Sequence, residues 1–357
     1  MAPGVAPVAV DAMGGDHAPA AVVQGAVDAA RKGRSVILVG PEDRVRAELK
    51  RQRAGGALPL EVRHAAEVVE MGDHPGRAMR RKKENSIRVC FELVKSGEAS
   101  AAVSAGNSGA VMAGAIFVLR RAGAVERPAI LTVLPAVKGV PVLLDVGANV
   151  ECRPLHLVQF ALMGEVYSRR VLGVKKPRVA LLSNGEEPSK GTSLTRAAAA
   201  ALERSSLRFQ GYCEGHDLLE GEVDVVVTDG FTGNVALKTM EGTARAVGLF
   251  IREALRRDLP SKAGALLAKG ALAAMRKQVD WREVGGALLV GVNGVAVIGH
   301  GASDGSAVCN AIERACEAAR AGYAEEMAEA AGRGAGLLVA ADAENPHGRR
   351  RQAPLEA

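Results

Sequence analysis

Residues 101–119 read AAVSAGNSGAVMAGAIFVL, and the fold follows from how this stretch is divided. Ala101–Ser104 is a short apolar run closed by turn residues, which predicts a buried strand, and the uncharged run Ala110–Leu119 predicts a helix. Between them, Ser104-Ala-Gly-Asn-Ser-Gly places glycines and short polar side chains at the helix start. Glycine lets the backbone approach a ligand closely, and unpaired N–H groups at a helix amino end favour an anion. Asn107 or Ser108 can also cap the helix, and capping and anion binding are compatible.

The same strand–loop–helix unit recurs outward in both directions. Strands are expected at Pro7–Asp11, Val36–Val39, Leu60–His64, Ala101–Ser104, Ala129–Leu134, Val142–Asp145, Val179–Ser183, Val223–Thr228, Ala287–Val290 and Val295–Ile298. Helices are expected near 18–32, 42–53, 85–97, 107–121, 153–171, 190–204, 233–257, 262–278 and 304–330. This alternation predicts an α/β fold with a largely parallel sheet. One catalytic domain is expected over 1–331, with a flexible tail over 332–357, where Ala, Gly and Arg accumulate.

The 357 residues suffice for a core that needs neither disulfide nor metal. The 48% apolar and 24% charged residues exclude a wholly disordered or collagen-like chain. No run approaches the ~18 apolar residues of a membrane helix, and the start lacks a signal peptide's pattern, so a soluble cytoplasmic protein is expected. The five scattered cysteines, with no CxxC pair, read as reduced and mostly buried.

Charge is concentrated in RAMRRKKENSIR, residues 77–88, where six basic residues and one acidic residue leave +5. This run is either a solvated helix face or a docking surface for something acidic. Aromatics are 3% of the chain and none interleaves the run, which argues against nucleic acid. Residues 247–278 form an amphipathic helix pair that mixes Leu255, Leu259, Leu266 and Leu267 with basic residues. Such a pair packs on the core or a second subunit, or lies on an anionic membrane surface.

Six expected strands end in clusters of Gly, Asn, Asp and Ser: Asp11–Pro19, Ser104–Ala110, Asp145–Glu151, Ser183–Thr192, Thr228–Asn234 and Gly299–Asp304. In open α/β sheets ligands bind outside the carboxyl ends of the strands, so these loops predict a site. GEEPSKGT (185–192) is not a P-loop, because Lys190-Gly191-Thr192 inverts the required order. No GxGxxG follows a strand, and neither HExxH nor GxSxG is present. No metal or cofactor is expected.

With these loops assembled, the chain resembles the bacterial phosphate acyltransferases of phospholipid synthesis. The resemblance rests on VAVDAMGGDHAP (8–19), VSAGNSGA (103–110), LLDVGANVE (143–151), LLSNGEEPSKGT (181–192), VDVVVTDGFTGNVALKTMEG (223–242) and GVNGVAVIGHGASD (291–304), and covers about residues 7–330. The family usually carries a serine pair after the basic run, where this chain has Asn85-Ser86. The resemblance implies a three-layer α/β/α fold like that of isocitrate and isopropylmalate dehydrogenases and phosphotransacetylase. It implies a homodimer that converts an acyl-carrier-protein thioester and inorganic phosphate into acyl phosphate and free carrier protein. A membrane glycerol-3-phosphate acyltransferase then takes the product.

Under this resemblance, Ser104, Gly106, Asn107 and Ser108 are expected to bind phosphate. Lys190 is expected to neutralise charge, Asn184 or Asn234 to donate to the carbonyl oxygen, and Asp229 and Asp11 to orient Lys190 or the helix starts. Gly14, Gly15, Asp16, Asp145, Asn149 and Asn293 are expected in supporting loops. Arg77, Arg80, Arg81, Lys82 and Lys83 become the carrier-protein docking surface. Leu255, Leu259, Leu266 and Leu267 are the expected membrane contacts of a peripherally associated enzyme. Rival readings are a coenzyme A phosphotransacetylase, a decarboxylating dehydrogenase and a membrane-surface scaffold.

Overall fold

The structure is a computed structural model that describes residues 6–54, 58–278 and 285–344. From the amino end the chain runs β1 (Val8–Asp11), α1 (Ala20–Arg31), β2 (Val36–Gly40), α2 (Glu42–Arg51), β3 (Leu60–His64), α3 (Pro75–Arg81), α4 (Ser86–Ser96), β4 (Ala101–Ser104) and α5 (Ser108–Val118). It continues through β5 (Ala129–Val133), β6 (Val142–Leu144), α6 (Pro154–Arg170), β7 (Arg178–Leu182), α7 (Ser193–Leu202), β8 (Arg208–Cys213) and β9 (Val225–Val227). Then follow α8 (Gly230–Arg256), α9 (Leu259–Leu267), α10 (Lys269–Gln278), β10 (Ala287–Val290), β11 (Ala296–Ile298), α11 (Gly305–Ala321), α12 (Ala324–Gly332) and α13 (Gly334–Glu344).

The chain divides into two compact units rather than the single domain expected over 1–331. The first holds the residues up to Arg120 and Thr232–Ala321. Its strands lie in the order β3-β2-β1-β4-β11-β10, parallel except for β10, which runs antiparallel to β11. The chain steps from β1 to β2 and β3 on one side, then returns to place β4 on the other. The carboxyl ends of β1 and β4 are therefore a topological switch point, where a crevice opens. Two helix groups flank this sheet: α1 with α2 and α11, and α4 with α5, on which α3 packs.

The second unit holds Arg121–Phe231 and the chain from Gly322. Its strand order is β5-β6-β9-β7-β8, parallel except for β5 against β6. The order reverses at β7, giving a second switch point at the carboxyl ends of β7 and β9. Helix α6 is buried from His156 to Ser168 except for Glu165, as suits a helix packed on several sides by α7, α12, α13 and β9.

Several elements differ from expectation. Strand β8 and helix α3 form where no element is expected. The helix expected over 262–278 is two, divided at Ala268, and that over 304–330 breaks at Gly322 (φ 58°). Where a tail is expected from 332, residues 334–344 form α13 against α6 and α7.

Candidate active site

In the first unit the loops after β1 and β4 close on a buried carboxylate. Asp11 is 2% exposed; its Oδ1 accepts the Met13 N–H (3.1 Å) and its Oδ2 accepts the Ser104 hydroxyl (2.7 Å). Burial pushes its carboxyl above the ordinary range, against hydrogen bonds from Ser86, Ser104 and the Met13 amide. Ser104 Oγ in turn accepts the Gly106 N–H at 3.1 Å. Gly14 fills the remaining space: a Cβ there would lie 2.6 Å from Gly106 N, 2.7 Å from Asp11 Oδ2 and 2.9 Å from Ser104 Oγ. Asp11, Gly14, Ser104 and Gly106 are thus one packed cluster. Gly15 and Asp16 lie beside Gly301, whose carbonyl accepts the Asp16 N–H at 2.8 Å.

The Gly106 N–H is occupied within this cluster, which corrects its expected role as a direct anion donor. Asn107 is the N-cap of α5: its Oδ1 accepts the Ala110 N–H (3.0 Å), and its Nδ2 donates to the carbonyls of Met71 (2.9 Å) and Asp73 (3.1 Å). Its side chain is therefore structural. Among the described residues the N–H groups of Asn107, Ser108 and Gly109 have no acceptor, and Ser108 is exposed. These amides, with the Ser108 hydroxyl, remain open to an anion.

In the second unit Asp145 organises the loops. It is fully buried and accepts five N–H bonds, from Ile130, Gly147, Ala148, and the backbone and side chain of Asn149. Burial raises its carboxyl, and these donors pull it back. Gly230 packs on the same turn: its N–H donates to the Asn149 carbonyl (2.8 Å), and a Cβ there would lie 2.8 Å from Asp145 Oδ2. Asp145 and Asn149 are thus supports. The half-buried Asp229 leads into this turn. Cys152 is pushed up to about 12, first by burial and then by the Asp145 and Asp229 charges, so its thiol stays protonated at neutral pH and is no nucleophile.

Along the β7 loop, Asn184 is exposed and its Oδ1 accepts the Gly191 N–H (3.0 Å). Lys190 is exposed, and its ammonium has no partner among the described residues. Asn234 is exposed near the start of α8. Asn293 departs from expectation. Register pairs Ile298 with Ser104, so the start of β11 points to the opposite edge, where Asn293 N and Nδ2 donate to Arg120 and Leu119. It supports the β10–β11 hairpin instead.

Within the basic run, the half-buried Lys82 is paired: its Nζ donates to the Val68 carbonyl (2.7 Å) and pairs with Asp73 (2.6 Å). This corrects its expected docking role. Arg77, Arg80, Arg81 and Lys83 are exposed and carry no ion pair among the described residues. Of the expected membrane contacts, Leu259, Leu266 and Leu267 are 79%, 73% and 90% exposed, while Leu255 is half-buried. Among the described residues no helix is long and apolar enough to cross a membrane. His216, Asp217 and Glu220 place ligand atoms within 4.8 Å of one another, but Asp217 already accepts the Glu214 N–H.

Two participants escape sequence reasoning. Ser86 is buried on Asp11, where its signal was only its place after the basic run. The Met71–Pro75 segment abuts the β4 loop, 34–36 residues away in the chain, with no local signal.

Comparison with known proteins follows the same lines. Residues 6–326 match the family model described as "Fatty acid synthesis protein". A phosphate acyltransferase of Anaeromyxobacter sp. (strain Fw109-5) is 69% identical over 337 residues, 94% of each chain. One of Geobacter sulfurreducens is 54% identical over 323 residues, covering 90% of this chain and 93% of the relative. Among solved structures, a phosphotransacetylase from Streptococcus pyogenes superposes with a TM-score of 0.60 at 15% identity, over 88% of this chain and 94% of that one. The EutD phosphotransacetylase from Staphylococcus aureus gives 0.55 over the same shares. The fold is thus that of the phosphotransacetylases, and by sequence this chain belongs to the phosphate acyltransferase family and is an acyltransferase.

Proposed function

We propose that this enzyme transfers the acyl group of an acyl-carrier-protein thioester to inorganic phosphate, giving acyl phosphate and free carrier protein. The observation that carries the reading is the start of α5 at the β1/β4 switch point, where the Asn107, Ser108 and Gly109 amides lie open beside a buried Asp11–Ser104 brace. Open amides at a helix start favour an anion, and the names of the relatives supply which one.

Phosphate is already an oxyanion at neutral pH, so no side-chain nucleophile has to be generated. Its oxygen attacks the thioester carbonyl carbon, a tetrahedral oxyanion forms, the C–S bond breaks, and the thiolate takes a proton from solvent. A thiol of pKa about 8.5 leaves without strong acid help. The chain has only to hold the reactants, worth about 7–11 kcal/mol, and stabilise the oxyanion, at about 3–4 kcal/mol per donor. In this reading Lys190 neutralises charge, and Asn184 or Asn234 donates to the carbonyl oxygen. Asp229 and Asp11 are positioning residues. The acyl carrier approaches at α3, where Arg77, Arg80, Arg81 and Lys83 are exposed. The enzyme works as a homodimer in the cytoplasm, on an anionic membrane surface, and a membrane glycerol-3-phosphate acyltransferase consumes the product.

The test mixes purified protein with palmitoyl-carrier protein, with and without phosphate, and measures free thiol and hydroxylamine-trapped acyl phosphate. Phosphate-dependent release of both supports the reading. Activity with acetyl-coenzyme A alone makes the protein a phosphotransacetylase, and silence with both overturns acyl transfer to phosphate.

A further inference from the structure

Helix α3 and its N-cap His74 supply the whole lining of an open surface cavity of about 330 Å3, through His74, Gly76, Arg77, Arg80 and Arg81. We propose that this cavity binds the phosphodiester of the prosthetic arm through which the acyl group is tethered to its carrier. The proposal rests on the acyl-carrier reading above and assigns these arginines to the arm rather than to the carrier's protein surface.

Two observations point there. The first is charge without a partner. Arg77, Arg80 and Arg81 have no carboxylate among the described residues, whereas neighbouring Lys82 and Arg88 are paired, with Asp73 at 2.6 Å and Glu92 at 2.8 Å. Three unneutralised guanidiniums on one short helix repel one another and are relieved by an anion; their planar forks suit a phosphate's oxygens. The second is place. Pro75, the first residue of α3, packs so close to the α5 start that a Cβ on Gly109 would lie 2.7 Å from Pro75 Cγ. Asn107 ties the preceding backbone through Met71 and Asp73. The seven residues of α3 span about 10 Å, so the cavity lies within reach of an arm whose other end presents a thioester to the open amides.

The test is calorimetric binding of 4′-phosphopantetheine and of pantetheine, which differ in the phosphate alone, to the full chain and to an Arg80→Ala/Arg81→Ala variant. The wild type is expected to bind phosphopantetheine at least tenfold more tightly than pantetheine, and the variant to lose that preference. Both side chains are exposed, so melting temperature should not move. Equal binding of the two ligands by wild type overturns the proposal. So does a preference that survives in the variant, or a variant defect seen only with whole carrier protein, which would assign the arginines to acidic side chains. Phosphate-dependent binding without turnover of carrier thioester would sink the proposed reaction while leaving the cavity standing.

Discussion

Lys190 is a test of catalysis uncoupled from folding, because it is exposed and without a partner among the described residues. Lys190→Ala should therefore melt with the wild type. If its ammonium neutralises phosphate or the developing oxyanion, turnover should fall at least a hundredfold, about 2.7 kcal/mol or more. Turnover within threefold of wild type would remove Lys190 from the mechanism. Gly14 tests the β1/β4 switch point of the first unit. An alanine methyl would sit between Gly106 N, Asp11 Oδ2 and Ser104 Oγ, all backbone or short, packed side chains with no flexible end to yield. Gly14→Ala should therefore displace the Ser104–Gly106 turn. The half-saturating phosphate concentration should rise at least tenfold, with a smaller change in that for the acyl donor. Equal effects on both would show that the turn serves the fold rather than phosphate.

At the scale of elements, the start of α4 shows how a family difference is absorbed. Asn85 is fully buried; its Oδ1 caps the helix by accepting the Arg88 N–H (2.9 Å), and its Nδ2 donates to the Lys82 carbonyl (2.6 Å). A serine hydroxyl caps as well, so Asn85→Ser should change stability little, whereas Asn85→Ala should cost about 1–2 kcal/mol in denaturant unfolding. Equal losses would mean that the Lys82 contact, not the cap, matters. A second element-scale device joins the starts of β7 and β9. Burial alone would push Asp224 up, yet Arg178, donating from its backbone (2.7 Å), Nε (2.9 Å) and Nη2 (3.1 Å), holds the carboxyl below the usual range. A depressed folded-state value contributes stability that is present above the unfolded value, near 3.8, and lost as pH falls through the folded one. Asp224→Asn should cost about 1.5–3 kcal/mol at pH 7, and the gap to wild type should narrow as pH falls below 4. A gap independent of pH would show that ionisation of Asp224 adds nothing.

These examples mark what sequence pattern conveys. Strands such as β1, β4 and β9 are legible because apolar runs buried on both faces end in Gly, Asp and Ser, and their carboxyl-edge loops follow from that. Strand β8 is not, because Arg208-Phe-Gln-Gly is partly exposed and includes Gly211 at φ 90°. Helix α3 lies hidden in a charge run. Within the site, the residue types at the strand ends are legible, but their partners are not. That Ser104 occupies the Gly106 amide, that Asn107 is tied to Met71, and that Lys82 is taken by Asp73 all depend on packing between loops.

At the scale of the whole molecule, α8–α10 set the largest demand still unmet. Val247, Leu249, Phe250, Leu259, Leu266 and Leu267 are each about half to nine-tenths exposed, among Arg252, Arg256, Arg257, Lys262 and Lys269. Apolar exposure on this scale in one stretch marks an interaction surface. The α8 side chains and the α9 leucines suit different occupants. Phe250 and Leu249, in the last third of a 27-residue helix, suit pairing with a second copy. Leu266 and Leu267, near a helix end flanked by lysines, suit shallow insertion among anionic headgroups. If the product is the acyl phosphate proposed above, its chain is poorly soluble in water, and release at a bilayer is favoured. Full removal of one leucine side chain from water is worth about 1.5–3 kcal/mol. Leu266→Glu with Leu267→Glu should therefore weaken co-sedimentation with phosphatidylglycerol vesicles at least tenfold, leaving soluble turnover and sedimentation coefficient unchanged. Phe250→Glu should do the reverse, shifting the sedimentation coefficient toward a single chain. If Leu266→Glu with Leu267→Glu instead lowers the sedimentation coefficient while vesicle binding persists, the α9 leucines serve contact between copies of the chain and not a membrane.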